Sequence, residues 1–163
     1  MSHQPVIDGF EFASAGATQQ GKMAIAEFPR LRDQLASDAG EVAYEVRGLR
    51  DERGRPSLLV SVRGTLQLRC QRCLEAMPLE VDEQDLLVLA ATQAEIDADP
   101  ADVQAPDRVL AGKKMALRDL VEDELILALP YAARHEGCSP GAALEGQEEN
   151  SPFAGLRGLL RKH

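Results

Sequence analysis

Cys70-Gln71-Arg72-Cys73 sets a C-x2-C pair on a turn between two runs whose apolar residues alternate. The same kind of chemistry returns far downstream at His135-Glu136-Gly137-Cys138, an H-x2-C pair. The two pairs hold all 3 cysteines of the chain. A two-residue spacer lets a tight turn aim two side chains at one point, and a tetrahedral metal centre takes two such pairs. If the pairs meet, the segment after the longest helical pattern must fold back onto a hairpin, which removes most topologies from consideration. Cys70, Cys73, His135 and Cys138 are therefore expected to converge, with one structural zinc ion as the reason.

Two other readings of these residues stand beside it. The cysteines can be small, reduced, half-buried hydrophobes, with His135 on the surface. Cys70 and Cys73 can also be a redox dithiol. A thioredoxin-like dithiol sits at a helix N-terminus after a strand, where the dipole lowers the thiol pKa. Here Leu74 to Leu89 reads as strand instead. The two pairs lie further apart than in common zinc fingers, so a centre built from them clips two parts of a folded domain together.

The strand runs are clear. Val42, Tyr44 and Val46 alternate with Ala43 and Glu45. Asp51 to Pro56 is turn chemistry. Leu58, Val60 and Val62 alternate next, and Leu66 and Leu68 continue past Gly64, which marks a bulge or a close backbone approach. Leu79, Val81 and the stretch Leu86 to Leu89 make a third strand. Sequential strands with short connections form an antiparallel meander.

Upstream, residues 1–21 are small and polar, with Val6-Ile7 and Phe10-Glu11-Phe12 as apolar anchors, and are expected to be an extended arm. Met23 to Ala26 suits a short strand. Pro29 suits a helix start, and Leu31 and Leu35 continue one face to Ser37. Downstream, residues 92–107 carry five carboxylates and no basic residue, and read as a solvated acidic loop. Leu117, Leu120, Val121, Leu125, Ala128 and Leu129 recur at helical spacing, with Asp119, Glu122, Asp123 and Glu124 on much of the other face. Pro130 ends this helix. Residues 141–163 read as a flexible linker and a short basic amphipathic helix, opened by Ser151-Pro152 and carrying Phe153, Leu156, Leu159 and Leu160 on one face. That helix either docks on the domain or serves a partner.

With 163 residues and 44% hydrophobic content, the chain suits one domain, here 22–140, plus tails. A net charge of −9 argues against general nucleic-acid stickiness. Yet Arg47 to Arg72 holds seven arginines against Asp51 and Glu52, a local balance of +5. Arginine without lysine suits phosphate forks and base stacking, so Arg63, Arg69 and Arg72 beside the cysteine turn, with Arg47 and Arg50, are candidate RNA contacts. The competing reading pairs them with the acidic helix and loop. Strand alternation puts Arg63 and Arg69 on one face, unless Gly64 shifts the register.

Phosphate-loop, H-E-x-x-H, G-x-S-x-G and G-x-G-x-x-G motifs are absent. His3 and His163 are terminal, leaving one interior histidine and no acid/base set. Four protein ligands close a metal site, so zinc here is structural rather than hydrolytic. No signal-peptide run or 18-residue apolar segment is present, and the expected place is the cytoplasm, with no membrane partner and no small-molecule substrate.

The run from Val62 through Gly64, Leu66 and Leu68 to C-Q-R-C-L, the block V-E-D-E-L-I-L-A-L-P at 121–130, His135 with Cys138, and the closing Asn150-Ser151-Pro152-Phe153-Ala154 together resemble the bacterial YceD family. That resemblance covers roughly residues 22–162. It implies a cytosolic factor in the synthesis, processing or stability of 23S ribosomal RNA, with ribosomal RNA or a large-subunit ribosomal protein as partner. It carries no catalytic residues over. The zinc expectation rests on spacing alone.

The expected fold is α+β: an antiparallel sheet or small open barrel packed by the long helix of the C-terminal half and a short N-terminal helix. The expected function is non-enzymatic assembly of the large ribosomal subunit. Its alternatives are a module holding a basic ribosomal protein, and a zinc- or thiol-dependent enzyme.

Overall fold

The computed structural model describes residues 5–98 and 105–138. Its elements run β1 (Val6–Ile7), α1 (Gly9–Ala15), β2 (Thr18–Ala24), two 3-10 turns (Ile25–Glu27 and Pro29–Gln34), β3 (Leu35–Ser37), β4 (Glu41–Arg50), β5 (Pro56–Arg69), β6 (Ala76–Ala90), α2 (Gln93–Asp97), β7 (Arg108–Leu110), β8 (Met115–Ala116) and α3 (Leu117–Leu127).

The meander foreshadowed by the alternation is the centre of the fold. β4, β5 and β6 pair antiparallel, with Tyr44 opposite Val62 and Val62 opposite Glu83. Asp51 shapes the β4–β5 turn: its Oδ1 accepts from the Arg53 and Arg55 N–H groups at 3.0 and 2.7 Å. Gly54 supplies the positive φ of 77° that the turn needs. Even-numbered residues face inward: Val42, Tyr44, Val46, Leu58, Val60, Val62, Leu66 and Leu68 are all buried. Each such aliphatic side chain contributes about 1.5–3 kcal/mol on leaving water. Gly64 leaves the register unbroken, opposite Val42 on one side and Val81 on the other. A Cβ there would lie 2.8 Å from Val42 Cγ1, so this glycine serves a close approach and not a bulge.

Beyond the meander the sheet differs from expectation. β2 adds to β4, β3 adds to the far end of β5, and β7 adds to β6 in parallel, so the sheet is mixed and curls into an open half-barrel. The parallel strand was illegible because β7 is only three residues long and follows an acidic connection. That connection is not all loop: Thr92 caps α2 by accepting from the Glu95 N–H at 3.3 Å.

The N-terminal arm is also corrected. Residues 9–15 form α1, started by Asp8, whose Oδ1 accepts from the Glu11 N–H at 3.1 Å, and ended by Gly16 in the left-handed region. The helix packs straight onto β4 at Gly48, where a Cβ would fall 2.2 Å from the Phe12 carbonyl oxygen. β2 continues this segment into the sheet, so the amino-terminal residues share the core with Ala13 and Met23. The helix expected from Pro29 to Ser37 is instead a 3-10 turn that runs into β3. Phe28 and Leu31 are fully buried, and from Leu35 the backbone pairs with β5 at Leu68 in place of continuing a helix.

α3 covers 11 residues and closes one side of the half-barrel through Leu117, Leu120, Val121 and Leu125. It stops at Leu127, two residues before the sequence pattern does, because Pro130 has no N–H to continue the ladder. Its acidic face is not wholly solvated: Glu122 and Glu124 are buried. Glu122 takes the Arg30 side-chain Nε–H at 2.8 Å and the Arg30 backbone N–H at 2.6 Å. Arg30 also reaches Asp123 at 2.6 Å. Arg30 thus pairs with the acidic helix. The expected basic helix from Ser151 lies outside the described residues, as do most of the linker and part of the acidic loop. Among the described residues no helix is long and apolar enough to cross a membrane.

Candidate metal centre

Two strands deliver the first pair. β5 ends at Arg69 and β6 begins at Ala76, and the six residues between them fold into a knuckle. The Cys70 N–H donates to the Glu75 carbonyl, and the Leu74 N–H donates to the Cys70 carbonyl, both at 2.9 Å. Leu74 adopts φ 65°, the one positive φ outside glycine among the described residues. The Arg72 N–H points at Cys70 Sγ at 3.4 Å. Cys70 is buried, while Cys73 is half-buried.

The second pair arrives from α3. After Pro130 the chain crosses the knuckle, and Ala133 accepts the Gln71 N–H at 2.8 Å. Gly137, at φ 73°, turns the segment so that Cys138 comes back toward His135. The four donor atoms of Cys70, Cys73, His135 and Cys138 then all lie within 4.8 Å of one another. Cys70 Sγ and Cys138 Sγ are 3.7 Å apart, and Cys73 Sγ and His135 Nδ1 are 3.3 Å apart. A tetrahedron with metal–sulfur bonds of about 2.3 Å has sulfur–sulfur edges of about 3.8 Å. These separations suit edges of a coordination tetrahedron better than thiol hydrogen bonds, which are weak.

The surroundings fit the same use. His135 Nε2 lies 3.2 Å from the Ala76 carbonyl oxygen. A carbonyl only accepts, so Nε2 carries the proton and the Nδ1 lone pair faces the sulfurs, the arrangement that orients a histidine ligand. Chiefly through the backbone N–H of Cys73, and against the opposing effect of burial, the Cys70 thiol is pulled down to about 5. Burial, and then the neighbouring Cys70 sulfur, push Cys138 up. The lowered Cys70 pKa favours the thiolate that a metal takes as ligand. Binding a cation displaces thiol protons, so affinity would rise with pH. Four protein donors leave no open coordination position, and the residues fit a structural zinc ion rather than a hydrolytic one.

The candidate RNA contacts divide. Odd-numbered residues of β5 face outward, so Arg63 and Arg69 share a face. Arg47, opposite Leu59, joins them from β4. Arg63 pairs with Asp82 at 2.7 Å, both well exposed. Arg50 sits on the opposite alternation at the hairpin end and donates to the Gly54 carbonyl at 3.0 Å. Arg47, Arg69 and Arg72 are exposed and have no ion pair among the described residues. The structure does not gather the five arginines into one patch: Arg69 and Arg72 are at the knuckle, and Arg47 and Arg50 lie toward the other end of the strands.

Sequence reasoning passed over several residues here. Arg134 precedes His135 directly and Tyr131 follows Pro130; both are exposed beside the cluster. A basic residue next to a candidate ligand was a readable signal for Arg134. Glu124 had none, since its buried setting depends on packing. Burial first, and Asp85 next, push its carboxyl up to about 7.

The family model described as "Large ribosomal RNA subunit accumulation protein YceD" matches residues 58–160, more than half of the chain. No curated protein and no solved structure matches significantly. The match takes in most of β5, the knuckle with both cysteines, α3 and the His135–Cys138 turn, so the whole cluster falls inside it. The chain belongs to the YceD family of large ribosomal RNA subunit accumulation proteins.

Proposed function

We propose that this protein is a non-enzymatic factor in the synthesis, processing or stability of 23S ribosomal RNA, acting during assembly of the large ribosomal subunit in the cytoplasm. Family membership carries the reading. A second support is the closed set of four donors, Cys70, Cys73, His135 and Cys138, which suits holding a fold together and offers no position for substrate. On this reading one zinc ion fastens the segment after α3 to the β5–β6 knuckle. Exposed arginines then contact ribosomal RNA, Arg69 and Arg72 at the knuckle and Arg47 and Arg63 on the outer sheet face, with Arg50 beside the hairpin turn. Arg63 is the weaker candidate because Asp82 already occupies it.

A second reading has its own observation. β6 presents Glu80, Asp82, Glu83 and Asp85, all exposed, along one strand. Such an acidic edge suits holding a basic ribosomal protein before its incorporation. Crosslinking in cells separates the two, with sequencing of bound RNA and mass spectrometry of bound protein. Recovery of 23S precursor segments supports RNA contact. Recovery of a basic ribosomal protein alone favours the second reading, and recovery of neither contradicts both.

A further inference from the structure

The knuckle end of the molecule combines features that the metal centre does not use. Tyr131 is fully exposed, at 108% of its reference area, while the other tyrosine, Tyr44, is buried in the core. Arg69 is the last residue of β5, Arg72 lies between the two knuckle cysteines, and Arg134 directly precedes His135. All three are exposed and none has an ion pair among the described residues. The backbone bond from Gln71 N–H to the Ala133 carbonyl, at 2.8 Å, ties the segment carrying Tyr131 and Arg134 to the turn carrying Arg72. The backbone segments that carry these side chains are thus joined at one end of the molecule.

We propose that this tip is a contact site for single-stranded RNA, with Tyr131 as a stacking platform for a base and Arg69, Arg72 and Arg134 on the flanking phosphates. The inference rests on the RNA reading above and deepens it. An exposed aromatic gives every base a π-face to stack on, and arginine forks match phosphate geometry. Duplex RNA offers no free base to Tyr131, so single strands are the class that fits. The exposed Glu75 and Glu136 lie beside the arginines and reduce the local excess of positive charge. Stacking and a few fixed phosphate contacts therefore carry the affinity, and its dependence on salt is shallow. A surface that works by bulk charge would show a steep one.

The test uses the full-length protein and a fluorescent single-stranded RNA of mixed sequence, about twelve nucleotides long, within the usual site size for such surfaces. Wild type is expected to bind it more tightly than the same sequence as a duplex. Tyr131→Ala should weaken binding about tenfold, while Tyr131→Phe keeps it. Removing Arg72 or Arg134 should lower the salt slope by about 0.7 each. Because Tyr131 is wholly exposed, its variants should keep the wild-type melting temperature. Wild type that binds the RNA with Tyr131→Ala unchanged overturns the tip and leaves the wider RNA reading standing. Wild type that binds no RNA overturns both. Binding of a basic ribosomal protein that is lost in Tyr131→Ala, with RNA binding intact, reassigns the tip to protein and overturns the proposal.

Discussion

Cys70 Sγ lies 3.7 Å from Cys138 Sγ, although 68 residues separate them in the chain. On the proposed reading a shared cation bridges them, and the first prediction concerns its energy. A ligand bound only by the folded state at a thousand times its dissociation constant adds about 4 kcal/mol of stability. A strong chelator should therefore lower the melting temperature by about 10 °C, and added zinc should restore it. Calorimetry with and without chelator checks this. Cys138→Ser should melt near the chelated wild type and no longer respond to zinc.

Arg30 and Glu122 give an asymmetric prediction. Glu122 is buried, whereas the Arg30 side chain is about half exposed. Arg30→Ala leaves a buried carboxylate without its cation and should cost about 3–5 kcal/mol. Asp123→Ala removes an exposed partner from the same guanidinium and should cost under about 1 kcal/mol. Urea unfolding of the two variants compares them directly.

How far the sequence could be read depends on the kind of contact. The meander was legible because Val42, Tyr44, Val46, Leu58, Val60 and Val62 follow the two-residue period of a half-buried sheet. The donor cluster was legible because two-residue spacers have few other uses. α1 was not, because Gly9–Ala15 is only seven residues with two small residues at its end, and it is stable by seating on Gly48. Arg30 was not, because its partners lie about ninety residues away, and no local pattern distinguishes it from a solvated arginine. The parallel β7 was hidden for the same reason: its three residues gain order only from β6.

Glu124 makes stability depend on pH. Its folded-state pKa is raised to about 7 from the ordinary carboxyl value, by burial first and then by Asp85. A raised pKa contributes stability below the unfolded value that is lost as pH climbs through about 7. Relative to Glu124→Gln, wild type should therefore lose stability between pH 5 and pH 8, and Glu124→Gln should be the more stable protein at pH 8. Thermal melts across this range check the sign.

Leu74 is in a backbone conformation that glycine adopts without strain, and its side chain is exposed. Leu74→Gly should relieve about 1 kcal/mol of strain, partly offset by the greater freedom of glycine in the unfolded chain. The melting temperature should hold or rise by a few degrees, in contrast to the losses expected at the neighbouring cysteines.

The donor set itself is open to the most direct measurement, X-ray absorption at the zinc edge on protein purified without added metal. One zinc per chain, with three sulfur neighbours at about 2.3 Å and one nitrogen at about 2.0 Å, is the expected result. Protein that holds no zinc after loading, or a first shell of oxygen and nitrogen alone, would contradict the centre built from Cys70, Cys73, His135 and Cys138.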